Sequence, residues 1–311
     1  MGAPMKVAVI GAGRKRNGIG EFIAKYLHAN GATVSCVLGS TTGSSQAAAA
    51  HLGTYGIRAR AYTDFSEMIR DVGPDAVAIA SPIPTHGEYI ERCIQAGVHV
   101  LCEKPFLSPE IPDPAATIEG LFRQAHQQGV VIAMNSQWPF CLPAYEELCG
   151  KIDASQVGQF AIRLSPVSSG REMIPDSLPH ALSLLHCVAG AGRIDSLSFA
   201  RGDDALKITF SYLTRAATCR ACVDLVRESA QPRTFSFGFN GRIAQRLIDP
   251  GTYTIHLTCQ GKTLKIADPL ELSVRDFLAA AGSGGNPALG ERHIVETASL
   301  LKEIYTAYSH T

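Results

Sequence analysis

The architecture of the first half is set where Val7-Ala8-Val9-Ile10 runs directly into Gly11-Ala12-Gly13-Arg14-Lys15-Arg16-Asn17-Gly18-Ile19-Gly20. The apolar residues predict a buried strand, and the amphipathic pattern from Gly20 to Asn30 predicts a helix that ends at Gly31. Glycines at such a junction allow a tight turn and a close approach to a pyrophosphate, whose charge the helix N-terminus attracts. An ordinary glycine-rich turn is the alternative, because four residues rather than two separate Gly13 from Gly18.

The same alternation of strand and helix continues along the first half of the chain. Short apolar segments, typical of strands buried on both faces of a parallel sheet, occur at Val7–Ile10, Thr33–Leu38, Ala76–Ala80, Val98–Cys102 and Val130–Met134. Longer amphipathic segments lie between them, such as Pro84–Ala96, which Gly97 ends. We therefore expect a doubly wound α/β Rossmann domain over residues 1–135.

The pattern changes after about residue 150. One helix is predicted over Asp176–Ala189, and strand segments follow at Ser196–Ala200, Leu206–Tyr212, Ala217–Val226, Thr234–Asn240, Thr252–Cys259 and Thr263–Ala267. Their close spacing leaves no room for helices between them, so the sheet is expected to be open and mainly antiparallel. The tail returns to helix over residues 271–281 and 290–308. Residues 136–311 are thus predicted to form an α+β domain for substrate binding and oligomerisation, whose last helices can pack back on the first domain.

Composition narrows the classes of partner. The 311 residues are 46% hydrophobic and 18% charged, which fits a folded chain of about two domains. Lys+Arg and Asp+Glu both number 28, so charge gives no reason to expect nucleic acid or an anionic membrane. We expect a small-molecule ligand, and a homo-oligomer through the open sheet, which otherwise exposes one face.

Sequence features also indicate the cellular location and the state of the cysteines. No apolar run reaches the roughly 18 residues that a membrane span needs, and the start lacks a secretory signal, so a cytoplasmic location is expected. Nine scattered cysteines indicate reduced thiols. Cys219 and Cys222 form the one C-x-x-C motif, but they lie on a predicted strand and face opposite sides, so no metal site is expected.

The expected preference between NAD and NADP depends on the absence of an acidic residue after the second strand. An NAD site usually carries Asp or Glu about 20 residues beyond the glycine turn, where it binds the ribose 2′-hydroxyl. No acidic residue occurs from Phe22 to Thr63, and the second strand leads into a hydroxyl-rich segment that contains Ser40 and Thr41. With Arg14, Lys15 and Arg16 as cations for a 2′-phosphate, the sequence favours NADP(H), while NAD(H) remains possible. The alternative is that the three cations form a solvated loop face.

Two further motifs resemble a known family. Ala80-Ser81-Pro82-Ile83-Pro84-Thr85-His86 and Val100-Leu101-Cys102-Glu103-Lys104-Pro105, together with the glycine turn, resemble the Gfo/Idh/MocA oxidoreductases. The resemblance implies a proton-transferring lysine beside the nicotinamide, Lys104, which would also contact substrate. A cationic nicotinamide ring nearby would favour its neutral amine. The predicted cofactor-binding residues are Gly11, Gly13, Arg14, Lys15, Arg16, Gly18, Ile19, Ser40, Thr41, Ser81, Pro82, His86, Glu103 and Lys104.

In the second domain, Asp176-Ser177-Leu178-Pro179-His180 resembles the family's D-x-x-x-H motif at a helix start. The i,i+4 spacing puts both side chains on one helix face, and Pro179 is compatible with the first turn. Asp176 would bind a substrate hydroxyl and His180 would act as acid or base. Alternatively, Asp176 is a helix N-cap and His180 a packing residue. Ser183 stands where the family commonly has a second Asp, which implies a different substrate orientation.

The segment Asn135–Phe140 adds Gln137 and the chain's one tryptophan, Trp138, as substrate-binding candidates. Trp138 and Phe140 would form an apolar wall, or they would only pack between domains. The whole pattern predicts an oxidoreductase that moves hydride between nicotinamide and a carbonyl or alcohol carbon of a sugar-like or other small metabolite. A close variant is reduction of a C=N bond. The alternative from another class is a catalytically silent sensor of the same fold.

Overall fold

The structure is a computed structural model that describes residues 3–13 and 18–309. The chain divides into two compact units. Unit 1 contains Met1–Ser108, Ala115–Asn135 and Leu270–Ile294, and unit 2 contains Pro109–Pro114, Ser136–Pro269 and Val295–Thr311. One junction between the units lies at 135/136. Residues 109–114 come before it but belong to unit 2, and residues 270–294 come after it but belong to unit 1.

Strands and helices alternate in the first part of the chain. In order these are β1 (Lys6–Ile10), α1 (Ile19–Ala29), β2 (Thr33–Leu38), α2 (Thr42–Gly53), β3 (Arg60–Tyr62), α3 (Phe65–Val72), β4 (Ala76–Ile79), α4 (His86–Gln95), β5 (His99–Glu103), α5 (Pro114–Gln128) and β6 (Ile132–Asn135). The strands form one parallel sheet in the order β3-β2-β1-β4-β5-β6. The order reverses direction beside β1, and the crevice at such a point is where doubly wound sheets bind ligands.

The rest of the described chain combines eight strands with four α-helices. In order it contains α6 (Leu142–Cys149), β7 (Gln159–Leu164), α7 (Met173–Ala189), β8 (Gly192–Arg201), β9 (Ala205–Thr214), β10 (Thr218–Val226), β11 (Ser236–Phe239), β12 (Arg242–Asp249), β13 (Thr254–Cys259), β14 (Lys262–Ile266), α8 (Pro269–Ser283) and α9 (Glu291–Tyr308). The eight strands form a sheet in the order β14-β13-β12-β11-β7-β10-β9-β8. Only the β7–β10 pair among these described strands is parallel, which confirms the predicted sheet type.

Each unit has its own core. In unit 1 the strand residues are almost wholly buried, and Leu270, Val274 and Phe277 of α8 join that core. In unit 2 one face of the sheet packs against α6 and α7, and the other face is open. Alternation along β12 shows this directly, since Ala244 is buried while Ile243 and Leu247 are 40% and 45% exposed.

The two cysteines of the C-x-x-C motif face opposite sides of their strand. Both cysteines lie on β10, where Cys219 faces the core and Cys222 is half-exposed. Within residues 3–13 and 18–309, no group of three or more potential ligands is arranged to hold a metal ion. The same residues contain no helix long and apolar enough to cross a membrane.

Tyr145 of α6 joins its helix to the sheet of unit 2. Its side chain is 1% exposed, and its hydroxyl donates to Arg242 O at 2.7 Å and accepts from Phe239 N at 3.0 Å. Tyr145→Phe leaves the buried Phe239 N–H and the Arg242 carbonyl without this partner, so we expect it to lower the free energy of unfolding by about 1–3 kcal/mol. Urea unfolding followed by circular dichroism measures this.

The matched control for that prediction is Tyr89→Phe on α4. Tyr89 is half-buried, and its hydroxyl has no hydrogen-bond partner in the part of the chain that the structure describes. The same deletion there should change the free energy of unfolding by less than about 0.5 kcal/mol. Equal effects of the two changes would remove the role assigned to the Tyr145 hydrogen bonds.

Candidate functional site

The turn after β1 packs directly against the end of β4. Gly11 has φ +87°, and a Cβ added to it would lie 2.8 Å from Ala80 C, Ala80 O and Ser81 N. A Cβ on Gly13 would lie 2.9 Å from Ser44 O. The close approach therefore needs glycine at both positions. It places the backbone of the turn where β1, β2 and β4 end, as a dinucleotide-binding turn requires.

Gly20 is a site residue that the glycine spacing did not single out. It lies in the first turn of α1, and a Cβ there would be 3.0 Å from Ala12 Cα and 3.1 Å from Ala80 Cβ. Gly18 is instead the N-cap, and Ile19 begins the helix. Gly20 thus provides the close helix–strand packing that the third glycine of a regular motif provides. Arg14, Lys15 and Arg16 lie outside the described residues.

The end of β2 carries the proposed 2′-phosphate region. Ser40 and Thr41 are exposed, and Thr41 caps α2 by accepting from Ser44 N at 3.2 Å, while Ser44 Oγ accepts from Thr41 N at 3.2 Å. An exposed N-terminus of a twelve-residue helix attracts anions. No carboxylate is present in this segment to repel a phosphate, so its chemistry fits the predicted ligand.

His86 joins the two family motifs. Its side chain is 1% exposed, and its ring nitrogens lie 3.0 Å from Ser81 O and 3.0 Å from Pro105 O. The segment after β4 is therefore fixed to the segment after β5. Ser81 is also buried, and its hydroxyl lies 2.7 Å from that of Thr85. His86 therefore has a structural role, since it connects the two segments. The cofactor contacts of Ser81, Pro82 and His86 stay predictions.

A second buried pair lies at the carboxyl ends of β5 and β6. Asn135 Nδ2 donates to Glu103 Oε1, and the two residues are 2% and 8% exposed. Asn135 Oδ1 is buried without a hydrogen-bond partner among the described residues. A buried acceptor of this kind calls for a donor from a ligand or water. Together with the glycine turn, it fits a dinucleotide at this edge, where Lys104 is half-buried.

Three buried cysteines of unit 1 have raised pKa values. Burial raises the pKa of the Cys102 thiol well above its ordinary value, and the neighbouring Glu103 charge adds to the shift. Burial likewise raises the pKa of Cys36 to about 11 and that of Cys93 to about 12. These cysteines stay protonated at neutral pH and act as apolar packing groups.

In unit 2, α7 begins at Met173, three residues before the predicted start, because Met173 and Ile174 are buried and extend the apolar face. Pro179 therefore lies inside the helix and not in its first turn. Asp176 Oδ2 accepts from Val167 N at 2.8 Å and from Ser168 N at 3.0 Å. The N-cap alternative for Asp176 is wrong, since this carboxylate holds the connection that follows β7.

His180 lies one turn further along α7. Its Nδ1 is 3.2 Å from Ser136 Oγ, a hydroxyl that the sequence reading did not select. Ser183, on the next turn, is fully buried. An imidazole held by a hydrogen bond at one ring nitrogen has a fixed orientation, which suits an acid–base group.

Trp138 contacts a different partner from the predicted one. Its ring stacks on Phe235, with centroids 3.6 Å apart and planes at 14°. The ring centroid of His180 lies 6.2 Å from that of Trp138, in an edge-on contact. Trp138 is 5% exposed, whereas Gln137 and Phe140 are half-buried. The apolar wall in unit 2 therefore consists of Trp138 and Phe235. Phe235 was missed because 97 positions separate the two rings, and no local periodicity links them.

Residues 5–136 match the model of a family described as the oxidoreductase family with an NAD-binding Rossmann fold, GFO_IDH_MocA. The D-glucoside 3-dehydrogenase of Escherichia coli (strain K12) is 33% identical over 109 residues, which are 35% of this chain and 29% of that protein. The scyllo-inositol 2-dehydrogenase (NAD(+)) of Bacillus subtilis (strain 168) is 30% identical over 157 residues, 50% of this chain and 42% of that protein. The chain thus matches less than half the length of either relative.

Solved structures share the fold over nearly the whole chain. UDP-N-acetylglucosamine 3-dehydrogenase GnnA from Acidithiobacillus ferrooxidans superposes with a TM-score of 0.71 at 20% identity, covering 98% of this chain and 97% of that one. An oxidoreductase from Agrobacterium radiobacter, in complex with NAD+, L-tartaric acid and magnesium, gives 0.68 at 15% identity and covers 98% and 96%. At these identities the likeness shows the fold alone.

Proposed function

Because the chain belongs to the Gfo/Idh/MocA oxidoreductase family, we propose that it is an NAD(P)-dependent dehydrogenase or reductase with a sugar-like substrate. The observation that carries the proposal is the turn at Gly11. Backbone atoms of Ala80 and Ser81 lie within 3 Å of the position that a Cβ on Gly11 would occupy. The buried Asn135 oxygen at the same sheet edge, for which residues 3–13 and 18–309 provide no hydrogen-bond partner, supports it. A bound nicotinamide would supply the carbon that accepts or donates hydride.

The chain's own residues would handle the proton. Lys104 exchanges a proton with the reacting oxygen of the substrate, while the Glu103–Asn135 pair and His86 hold its backbone in place. His180, fixed by Ser136, is the second acid–base group. Asp176 positions the substrate-binding face of α7, either through a substrate hydroxyl or through the connection after β7.

The substrate class follows from what the relatives are named for. A glucoside, an inositol and a sugar nucleotide all carry a ring alcohol that can become a ketone. We therefore propose oxidation or reduction at a ring carbon of a polyhydroxylated metabolite, with imine reduction as the chemical variant. A protein that binds cofactor yet turns over neither alcohols nor imines would instead be a sensor.

We expect NADPH to bind at least about tenfold more tightly than NADH, because the end of β2 offers hydroxyls and N–H groups and no carboxylate. Ser40→Asp places a carboxylate there and should reduce that preference about tenfold or more. Titration followed by cofactor fluorescence measures both values. Gln124→Glu, an exposed position on α5, adds the same charge to unit 1 and should leave the ratio unchanged.

If the purified protein binds neither NADPH nor NADH, the dehydrogenase proposal fails. If the two cofactors bind equally well, the family assignment stands and the NADP(H) preference is withdrawn.

The open sheet face of unit 2 supports a homo-oligomer. Ile243 and Leu247 on β12 expose 40% and 45% of their surface, and a second copy would cover them. Sedimentation of the purified protein, compared with that of an Ile243→Lys, Leu247→Lys double variant, tests this proposal.

A further inference from the structure

Arg246 projects from β12 into the covered side of the unit 2 sheet. It lies in phase with the buried Ala244, and its guanidinium carbon is 5.2 Å from the Trp138 ring centroid and 5.7 Å from that of Phe235. Nη2 donates to Arg233 O at 2.6 Å. Aromatic and hydrogen-bond contacts therefore hold the guanidinium in one place beside the Trp138–Phe235 stack.

This cation makes no direct ion pair among the residues that the structure describes. No carboxylate lies within 4.0 Å of it, and Nε is buried without a hydrogen-bond partner. Burial lowers the pKa of Arg246, and Tyr253, Cys141 and Asp268 oppose that effect. A guanidinium remains charged in proteins, and a largely buried charge without an anion is costly. The guanidinium therefore has the Asp268 carboxylate in its surroundings but no anion bound directly to it.

The acids near the same end of the sheet are already engaged. Glu228 accepts from Thr234 N at 2.8 Å and pairs with Arg163 at 3.2 Å. Asp204 pairs with Arg227 at 3.2 Å. Arg233, whose carbonyl receives Arg246, also has a buried Nε without a partner in the described residues. Asp268, the carboxylate that acts on Arg246 electrostatically, is hydrogen-bonded to Tyr253. Neither arginine therefore makes a direct ion pair with a carboxylate of the described residues.

We propose that Arg246 is a specificity-determining residue that binds the carboxylate or phosphate of an anionic sugar, a sugar acid or sugar phosphate. The inference rests on the proposed function, since it narrows the substrate class of that function. Guanidinium groups suit both anions because their planar N–H groups match two oxygens at once. His180 also contacts Trp138, with ring centroids 6.2 Å apart, and it would meet the sugar's hydroxyls together with Ser136.

Trp138 makes a direct test possible, because it is the one tryptophan in the chain and its ring lies beside Arg246. Its fluorescence is recorded during titration with D-glucuronate, D-glucose 6-phosphate and, as the uncharged match, D-glucose. We expect at least one anionic sugar to bind about tenfold or more tightly than glucose, with an advantage that shrinks at high salt. Tighter binding of D-glucuronate would indicate carboxylate recognition, and tighter binding of D-glucose 6-phosphate would indicate phosphate recognition.

Arg246→Gln should abolish the advantage of the anionic sugar, and Arg246→Lys should keep part of it. Arg163→Gln removes an exposed arginine on the neighbouring part of the sheet and should leave the advantage intact. The NADPH dissociation constant, which reports on unit 1, and the thermal midpoint show whether each variant is folded. If Arg246→Gln does not fold, the salt dependence in the unaltered protein and the Arg246→Lys result decide.

Equal binding of charged and neutral sugars, binding of none of the three probes, or an undiminished advantage in Arg246→Gln would overturn the inference. Any of these results together with tight NADPH binding leaves the oxidoreductase proposal standing. Failure to bind NADPH with the anion advantage present would reject the oxidoreductase proposal alone.

Discussion

Replacing Lys104 with methionine is expected to lower kcat about 10²- to 10⁴-fold while the dissociation constant of NADPH changes less than about threefold. Methionine keeps the length and apolar stem of the side chain but cannot exchange a proton, and positioned proton transfer contributes an effect of this size. Lys104 is half-buried at the end of β5, directly after the Glu103–Asn135 pair. Steady-state turnover of the substrate found by screening, with cofactor titration alongside, measures both quantities.

The control for this prediction is Lys151→Met, which removes an exposed lysine from unit 2 and should leave kcat and cofactor binding unchanged. Unchanged turnover in folded Lys104→Met would transfer the main proton step to His180, and His180→Asn would then show the large loss. A loss of NADPH binding with little change in kcat would make Lys104 a cofactor-binding group only.

The surroundings of Lys104 could be predicted from the sequence only in part. Glu103-Lys104-Pro105 and the Ser81 to His86 segment were recognisable as separate motifs, because each follows an apolar strand. The structure adds that His86 bridges them, with Ser81 O and Pro105 O each 3.0 Å from its ring. Parallel strands bring their carboxyl ends together, so the meeting of the motifs was predictable, but the bridge between two backbone carbonyls was not.

The missed strand β7 depends on partners far along the chain. It has few cues of its own and is fixed by pairing with β10 and β11, which lie more than 50 and more than 70 residues further along. Local periodicity reports which face of a segment is buried, not which strand it meets. The Glu103–Asn135 pair and the Trp138–Phe235 stack were invisible for the same reason, since each joins residues that only the tertiary fold brings together.

Gly11→Ala is expected to abolish measurable NADPH binding and to lower the free energy of unfolding by about 3 kcal/mol or more. Two separate costs add at this position. The φ of +87° disfavours any side chain, at about 1–2 kcal/mol. In addition, the new Cβ would lie 2.8 Å from three backbone atoms of Ala80 and Ser81, which cannot rotate away as a side chain could. Relief requires the turn to separate from β4, and that movement displaces the N–H groups of the turn.

Gly31→Ala separates the two costs. Gly31 has φ +88°, almost the same as Gly11, but no atom lies within 4 Å of the Cβ that would be added. The Gly31→Ala variant should therefore lose only about 1–2 kcal/mol of the free energy of unfolding, which is the conformational cost, and keep its NADPH dissociation constant. Urea unfolding and cofactor titration of the two variants give the comparison. If Gly11→Ala binds NADPH as well as Gly31→Ala does, the turn tolerates displacement from β4, and the cofactor must be held mainly by other residues of unit 1.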